Sequence, residues 1–278
     1  MLRPRIIPCL LVRNGGLVKT VGFGDGKYVG DPLNAVKIFN EKESDELIVV
    51  DIDATTKGAE PNFRLIGQLA VECRMPLCYG GGVKTAAEAK RIIGLGVEKV
   101  AVSSAAVENP RIVSSIAREI GSQSVVIVLD VRKRPGGTDY EVWTHNGRRN
   151  AGRSVVQVAA DVESSGAGEI VVNSIDCDGQ MHGYDLTLAK SVRAATRLPM
   201  TVLGGAGSLA DIGRLISTCG VVGAAAGSLF VFKGAYRAVL INYPNDAQKE
   251  DLVRRALAST NRAAPFAHDS TPSGGGLT

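Results

Sequence analysis

Aromatic residues are scarce, 5% of 278, with a single tryptophan, Trp143. Runs of lysine and arginine are absent, and a net charge of +4 is dispersed along the chain. Nucleic-acid binding rests on basic stripes and stacking aromatics, so no nucleic-acid partner is expected. No apolar run nears the roughly 18 residues that span a bilayer, so no membrane partner is expected either. The first apolar run, 6–12, is bracketed by Arg5 and Arg13 and lacks a small-residue cleavage site. It reads as a strand, not a signal peptide. The five cysteines, Cys9, Cys73, Cys78, Cys177 and Cys219, form no C-x-x-C pair and no zinc spacing. Such a scattered odd set indicates reduced thiols in a cytoplasmic protein. No cofactor is expected, and no metal, because the carboxylates show no fixed ligand spacing.

What is present is a repeat. The stretch 169–179 is an apolar run ending in a turn with two carboxylates, Asp176 and Asp178, and Gly179. It answers to 45–53: Glu46 corresponds to Glu169 and Asp53 to Asp176, both at an offset of 123 residues. Gly80-Gly81-Gly82 corresponds at that offset to the glycine string 204–207, and segment 100–106 to 223–229, with Ser228 opposite Ala105. The chain reads as two copies of one half. Apolar, β-branched runs near 5–12, 46–52, 76–80, 98–103, 125–131, 169–175, 200–204 and 222–226 predict strands. Amphipathic segments at 32–43, 63–74, 86–95, 110–120, 154–165, 186–195 and 209–217 predict helices between them. Eight alternating units in two similar halves favour a single (β/α)8 barrel over an open doubly wound sheet. The expected division is a barrel over 1–250, a helical segment over 251–262 and a disordered tail over 263–278.

Two longer segments follow odd-numbered strands. The first, 15–30, holds glycines 15, 16, 22, 24 and 26 with Lys19 and Lys27; the second, 132–152, is rich in arginine, lysine and glycine. Mobile basic βα loops suit a lid over an anionic substrate, although a tolerated insertion is the plainer alternative. The glycine strings and the pairs Ser103-Ser104 and Gly227-Ser228 offer backbone N–H groups and helix starts to anions. Their twofold disposition predicts two opposed phosphate sites and an elongated, phosphorylated small-molecule substrate. Asp51, Asp130 and Asp176 end strands. Asp130, flanked by Leu129 and Val131, suits a general acid or base, with a helix N-cap or a loop ion pair to Arg132 or Lys133 as the alternative. At the opposite rim Arg5, Glu46, Lys99 and Glu169 start strands and place two cations and two anions in the bottom opening. Such a ring is either a stabilising network or a gate to the barrel axis.

The motifs RIIPCL at 5–10, GDP at 30–32, DEL at 45–47, GGG at 80–82, SAAVENP at 104–110, GAGEI at 166–170, GYD at 183–185 and GGAG at 204–207 point one way. Over about residues 1–240 the chain resembles the cyclase subunit of imidazole glycerol phosphate synthase, HisF. That resemblance implies a (β/α)8 barrel that takes ammonia from a HisH-like glutaminase subunit, forming a heterodimer, and joins it to a bisphosphorylated substrate. It implies a gate of Arg5, Glu46, Lys99 and Glu169. It further implies one phosphate site at Gly82, Ser103 and Ser104 (the family usually has Asn at 103) and another at Asp178, Gly179, Gly205, Gly227 and Ser228. Lys19, Asp51 and Asp130 fall on active-site positions. The family's first strand carries a catalytic Asp where this chain has Leu11, and an apolar side chain moves no proton. Leu11, with the strings at 24–32, 76–82 and 227–234, is similar to the paralogous branch serving acetamidino modification of surface sugars. That likeness implies an ATP-dependent sugar amidotransferase as a further partner. The histidine-pathway cyclase and a non-catalytic phosphate-binding barrel are the competing expectations.

Overall fold

The computed structural model describes residues 3–234 and 236–262; the expected tail over 263–278 lies outside them. Eight parallel strands close into a barrel: β1 Arg5–Arg13, β2 Leu47–Asp51, β3 Leu77–Gly80, β4 Lys99–Val102, β5 Val125–Lys133, β6 Glu169–Ser174, β7 Met200–Leu203 and β8 Gly223–Ala226. Each pairs with the next, and β8 pairs with β1 from Arg5 opposite Gly223. Helices α1 Pro32–Glu41, α2 Phe63–Glu72, α3 Ala86–Gly94, α4 Arg111–Ile120, α5 Val155–Ser164, α6 Leu186–Ala195, α7 Leu209–Cys219 and α8 Asp246–Arg262 surround it. The predicted barrel is thus observed. Helix α8 begins at Asp246, ahead of the expected 250/251 division, and buries Ala256 in the barrel's own outer core. It is the eighth barrel helix. Among the described residues no helix is long and apolar enough to cross a membrane.

Strand residues alternate between two cores, as the pleat requires. Ile7, Cys9, Ile48, Cys78, Ala101, Val126, Val171 and Ala225 fill the barrel interior. Ile6, Val49, Leu77, Val100, Ile127 and Val172 face outward against the helices. The repeat reaches the helix caps. Asn62 caps α2 by accepting from Leu65 N at 3.1 Å, and Asp185 caps α6 from Leu188 N at 2.9 Å, 123 residues later. Thr85 with Glu88 and Ser208 with Asp211 form matching capping boxes on α3 and α7 at that offset. Helix α7 has 11 residues against 9 in α3, and the following turn is one residue shorter. The short helices after β4 and β8, Ser104–Glu108 and Ser228–Val231, are consequently 124 residues apart. Ser228 therefore corresponds to Ser104, which corrects the expected match with Ala105.

The two segments expected as loops are β-hairpin extensions of the barrel wall. Strand Gly16–Lys19 pairs antiparallel with the end of β1 and with strand Lys27–Gly30. Strand Tyr140–Thr144 pairs with the end of β5 and with strand Arg149–Ser154. Both rise from the carboxyl ends of their strands and bend over the barrel mouth.

Candidate active site

The carboxyl ends of the strands enclose a cavity of about 330 Å³. Its two opposed walls are built from glycine turns. Gly81 and Gly82 have φ of +121° and +75°, and Gly204 and Gly205 have +95° and +105°. A Cβ on Gly81 would meet the Asp51 carbonyl oxygen at 2.5 Å, and one on Gly204 the Ser174 carbonyl oxygen at 2.7 Å, so only glycine fits either turn. Ser103 and Ser104 adjoin the first turn, and Gly227 and Ser228 the second, where the short helices begin. The predicted phosphate residues are thereby grouped at two ends of one cavity. Lys19 is buried with its ammonium beside Gly227, donating to the Cys9 carbonyl at 2.5 Å. Burial lowers its pKa. It projects inward from a paired strand and is no part of an open loop.

The carboxylates separate into distinct environments. Asp130 points into the cavity, accepting from Asn173 Nδ2 at 2.9 Å. Burial pushes its pKa up to about 7, the Asn173 amide opposes that, and the charge of Asp178 adds to it. Asp51 also lines the cavity, raised by burial, but its Oδ1 accepts from the Asp53 and Ala54 amides at 3.0 and 3.2 Å. Asp178 accepts from the Thr20 hydroxyl at 2.7 Å and from Phe23 N at 3.3 Å, tying the first hairpin to the β6 turn. Gly179, next in the chain and also lining the cavity, has a φ of +69° that shapes that turn. Asp176 does not line the cavity: it accepts from Lys133 N at 2.9 Å and faces Arg132. Leu11 stands opposite Val50 in the β1–β2 register, as Asp130 stands opposite Asn173 in β5–β6. Val50 and Asn173 are 123 residues apart, so Leu11 is the twofold counterpart of Asp130.

At the other rim the four predicted charges form a closed ring. Arg5 pairs with Glu46 and, at 2.7 Å, with Glu169; Lys99 reaches Glu46 at 2.9 Å and Glu169 at 2.8 Å. Thr201 donates to Glu169 at 2.7 Å. Burial works against the charges of Arg5 and Lys99, but Glu169 and then Glu46 outweigh it and raise both pKa values. Burial likewise opposes the Glu169 charge, and Arg5 and Lys99 overcome it and lower its pKa. Among the described residues the apolar interior layer lies between this ring and the cavity.

A family model described as histidine biosynthesis protein matches residues 5–237. The chain belongs to that family. Proteins of Leptospira borgpetersenii and Leptospira interrogans, both named "Putative imidazole glycerol phosphate synthase subunit HisF", are 57% and 56% identical over 252 residues. Those matches cover 91% of this chain and 99% of each relative. The "Imidazole glycerol phosphate synthase subunit HisF" of Lactococcus lactis subsp. cremoris is 41% identical over 212 residues, 76% of this chain and 82% of that protein. Within this histidine biosynthesis family member the cavity also gathers residues to which the sequence assigned no role. His145 and Asn146, with φ of +54° and +56°, form the tip of the second hairpin. His145 N donates to Ser104 Oγ at 3.0 Å, and Asn146 Nδ2 donates to the Ile52 carbonyl across the mouth. The His-Asn-Gly string between alternating runs carries a hairpin-turn signal. Asn173, the one amide in an apolar strand, was visible as such, but its partnership with Asp130 depends on register.

Proposed function

We propose that this chain is an ammonia-using synthase subunit of the HisF type whose own ring-closing chemistry has been given up. In this reading a glutaminase subunit docks at the charged rim in the cytoplasm, and ammonia crosses the barrel axis to the cavity. The nitrogen then serves acetamidino modification of a nucleotide-linked sugar, with an ATP-dependent amidotransferase as the further partner. One observation carries the reading: Leu11 occupies the twofold counterpart of Asp130. Leu11 faces Val50, so the acid/base pair that a ring closure would draw from β1 and β5 is reduced to Asp130 alone. Removal of one such group typically costs about a hundredfold to ten-thousandfold in rate. The ring of Arg5, Glu46, Lys99 and Glu169 and the two anion cradles support retention of ammonia delivery and phosphate binding. A phosphate-binding scaffold would have no use for four mutually paired charges, two of them buried carboxylates, below an apolar axis.

The second reading is the histidine-pathway cyclase itself, favoured by the half-buried Asp130, the buried Lys19 and the name of the Lactococcus relative. The two are separated by turnover of the histidine-pathway bisphosphate with excess ammonium salt, beside a Leu11→Asp variant. Ammonium replaces the glutaminase, so only the barrel's chemistry is read. The expected result is no cyclisation by the natural chain and measurable cyclisation by Leu11→Asp. Clear turnover by the natural chain would defeat the redirected reading and leave a cyclase that works with one carboxylate.

A further inference from the structure

Between β8 and α8 the chain leaves the barrel wall. Phe232–Lys233 pairs antiparallel with Ala238–Val239 as a separate two-stranded sheet. A ribbon of that size is marginal by itself in water. This one is held at its base, where Phe232 packs on the outer core, Leu240 N donates to the Val231 carbonyl at 2.9 Å and Asn242 Nδ2 to the Phe232 carbonyl at 3.2 Å. Beyond the base every described residue from Lys233 to Leu240 is exposed. Tyr236 is 99% exposed, and Val239 and Leu240 about half so. Arg237, with φ of +47°, closes the turn in the left-handed region, where glycine would be the unstrained choice. The core gains nothing from these side chains, and apolar groups gathered on a projecting ribbon mark a surface for a partner.

Charge and position narrow that partner. No carboxylate side chain occurs between Asp211 and Asp246, while Lys233 and Arg237 flank Tyr236. Lys27 of the first hairpin adds a third cation, its ammonium 5.6 Å from the Phe232 ring. A second copy of this chain would set two Lys233 and two Arg237 against each other across a twofold interface. The chain's own residues 263–278 hold one carboxylate side chain, Asp269, and do not supply the complement. The base of the ribbon opens on the cavity. Phe232 directly follows the short helix Ser228–Val231, which starts at the second glycine turn, and Lys27 is the register partner of Lys19. A protein seated on the ribbon is therefore beside the mouth, at the end of the barrel away from the charged ring. We infer that Phe232–Leu240, with Lys27, is the docking surface for the protein that accepts what the barrel delivers, a partner offering apolar side chains bordered by carboxylates. The inference rests on the reading of this chain as a nitrogen supplier, under which that partner is the ATP-dependent amidotransferase.

The test replaces Tyr236 by photo-crosslinking p-benzoylphenylalanine in the full-length chain, expressed in the organism that encodes it. The same group in place of Val71, exposed on α2, is the reference. Adducts formed on illumination are identified by mass spectrometry. Position 236, and not 71, is expected to capture an enzyme of the amidotransferase class. Lys233→Glu with Arg237→Glu should lower the adduct yield about tenfold, and Lys233→Gln alone about threefold. Glutaminase recovered with these variants should match that of the natural chain, which shows them folded, because its rim lies at the other end. An adduct with a second copy, with residues 263–278 or with the glutaminase would overturn the docking surface. So would the absence of any adduct, or an unchanged yield in the doubly reversed variant. Failure of the underlying reading looks different. An adduct with a carboxylate-bordered protein of another class leaves the surface standing and overturns the amidotransferase as its partner. An amidotransferase that co-purifies equally with the natural and the doubly reversed chain leaves that reading standing and overturns the surface.

Discussion

Asp130 is held at odds with its own charge. Its folded pKa of about 7 lies above the roughly 3.9 of an aspartate in an unfolded chain. Below pH 4 both states hold the proton and the residue costs nothing. Between pH 4 and 7 the unfolded chain releases the proton while the folded one keeps it, so stability falls as pH rises, and above 7 the full cost applies. Asp130→Asn removes the titration without removing the bond partner of Asn173. Its stability relative to the natural chain should therefore climb from pH 4.5 to pH 8 by about 2–4 kcal/mol. Denaturant unfolding at the two pH values checks this, and a constant difference would show that Asp130 is ionised throughout. A carboxyl poised near neutrality can both give and take a proton, whereas Leu11, its twofold counterpart, can do neither.

At the level of elements the two halves are built by the same local devices, and equal changes should have equal effects. Thr85→Ala and Ser208→Ala each remove one capping hydroxyl and should each cost about 1 kcal/mol. Asp185→Ala should cost more than Asn62→Ala. Asp185 also accepts from the buried Tyr140 hydroxyl at 2.8 Å, which would lose its partner. Urea midpoints of the four variants give the comparison. Gly81→Ala and Gly204→Ala, with positive φ and backbone oxygens 2.5 and 2.7 Å from the new Cβ, should both lower stability by more than about 2 kcal/mol. The eight strands were legible because runs such as 125–131 and 169–175 are apolar and β-branched, as buried parallel strands must be. The first hairpin was not. Gly16–Lys19 and Lys27–Gly30 are short and glycine-flanked, and they become strands by completing the hydrogen bonds of β1. Register also stayed hidden: that Leu11 answers to Asp130, and Asn173 to Val50, follows from which backbone atoms meet across β1–β2 and β5–β6.

The whole molecule joins two ends that are chemically unlike. Below is a ring of paired charges, above is a polar cavity, and between them the interior is a layer of small and branched apolar side chains. Ions are excluded from such a layer by the cost of stripping their water, while a small neutral molecule such as ammonia crosses it at far lower cost. If the axis is the route, enlarging a side chain within the layer should block nitrogen arriving from below without harming nitrogen supplied from the mouth. Ala101 and Ala225 are inward-facing, 4% and 0% exposed, on β4 and β8. Ala101→Leu adds bulk there at an expected stability cost of about 1–3 kcal/mol. In the assembled complex the variant should make much less product from glutamine, while product from added ammonium salt stays within about twofold of the natural chain. The ratio of the two rates is the measurement, since a general loss of folding lowers both together. An unchanged ratio would mean that ammonia reaches the cavity around the barrel, and the charged ring would then serve only to join the subunits.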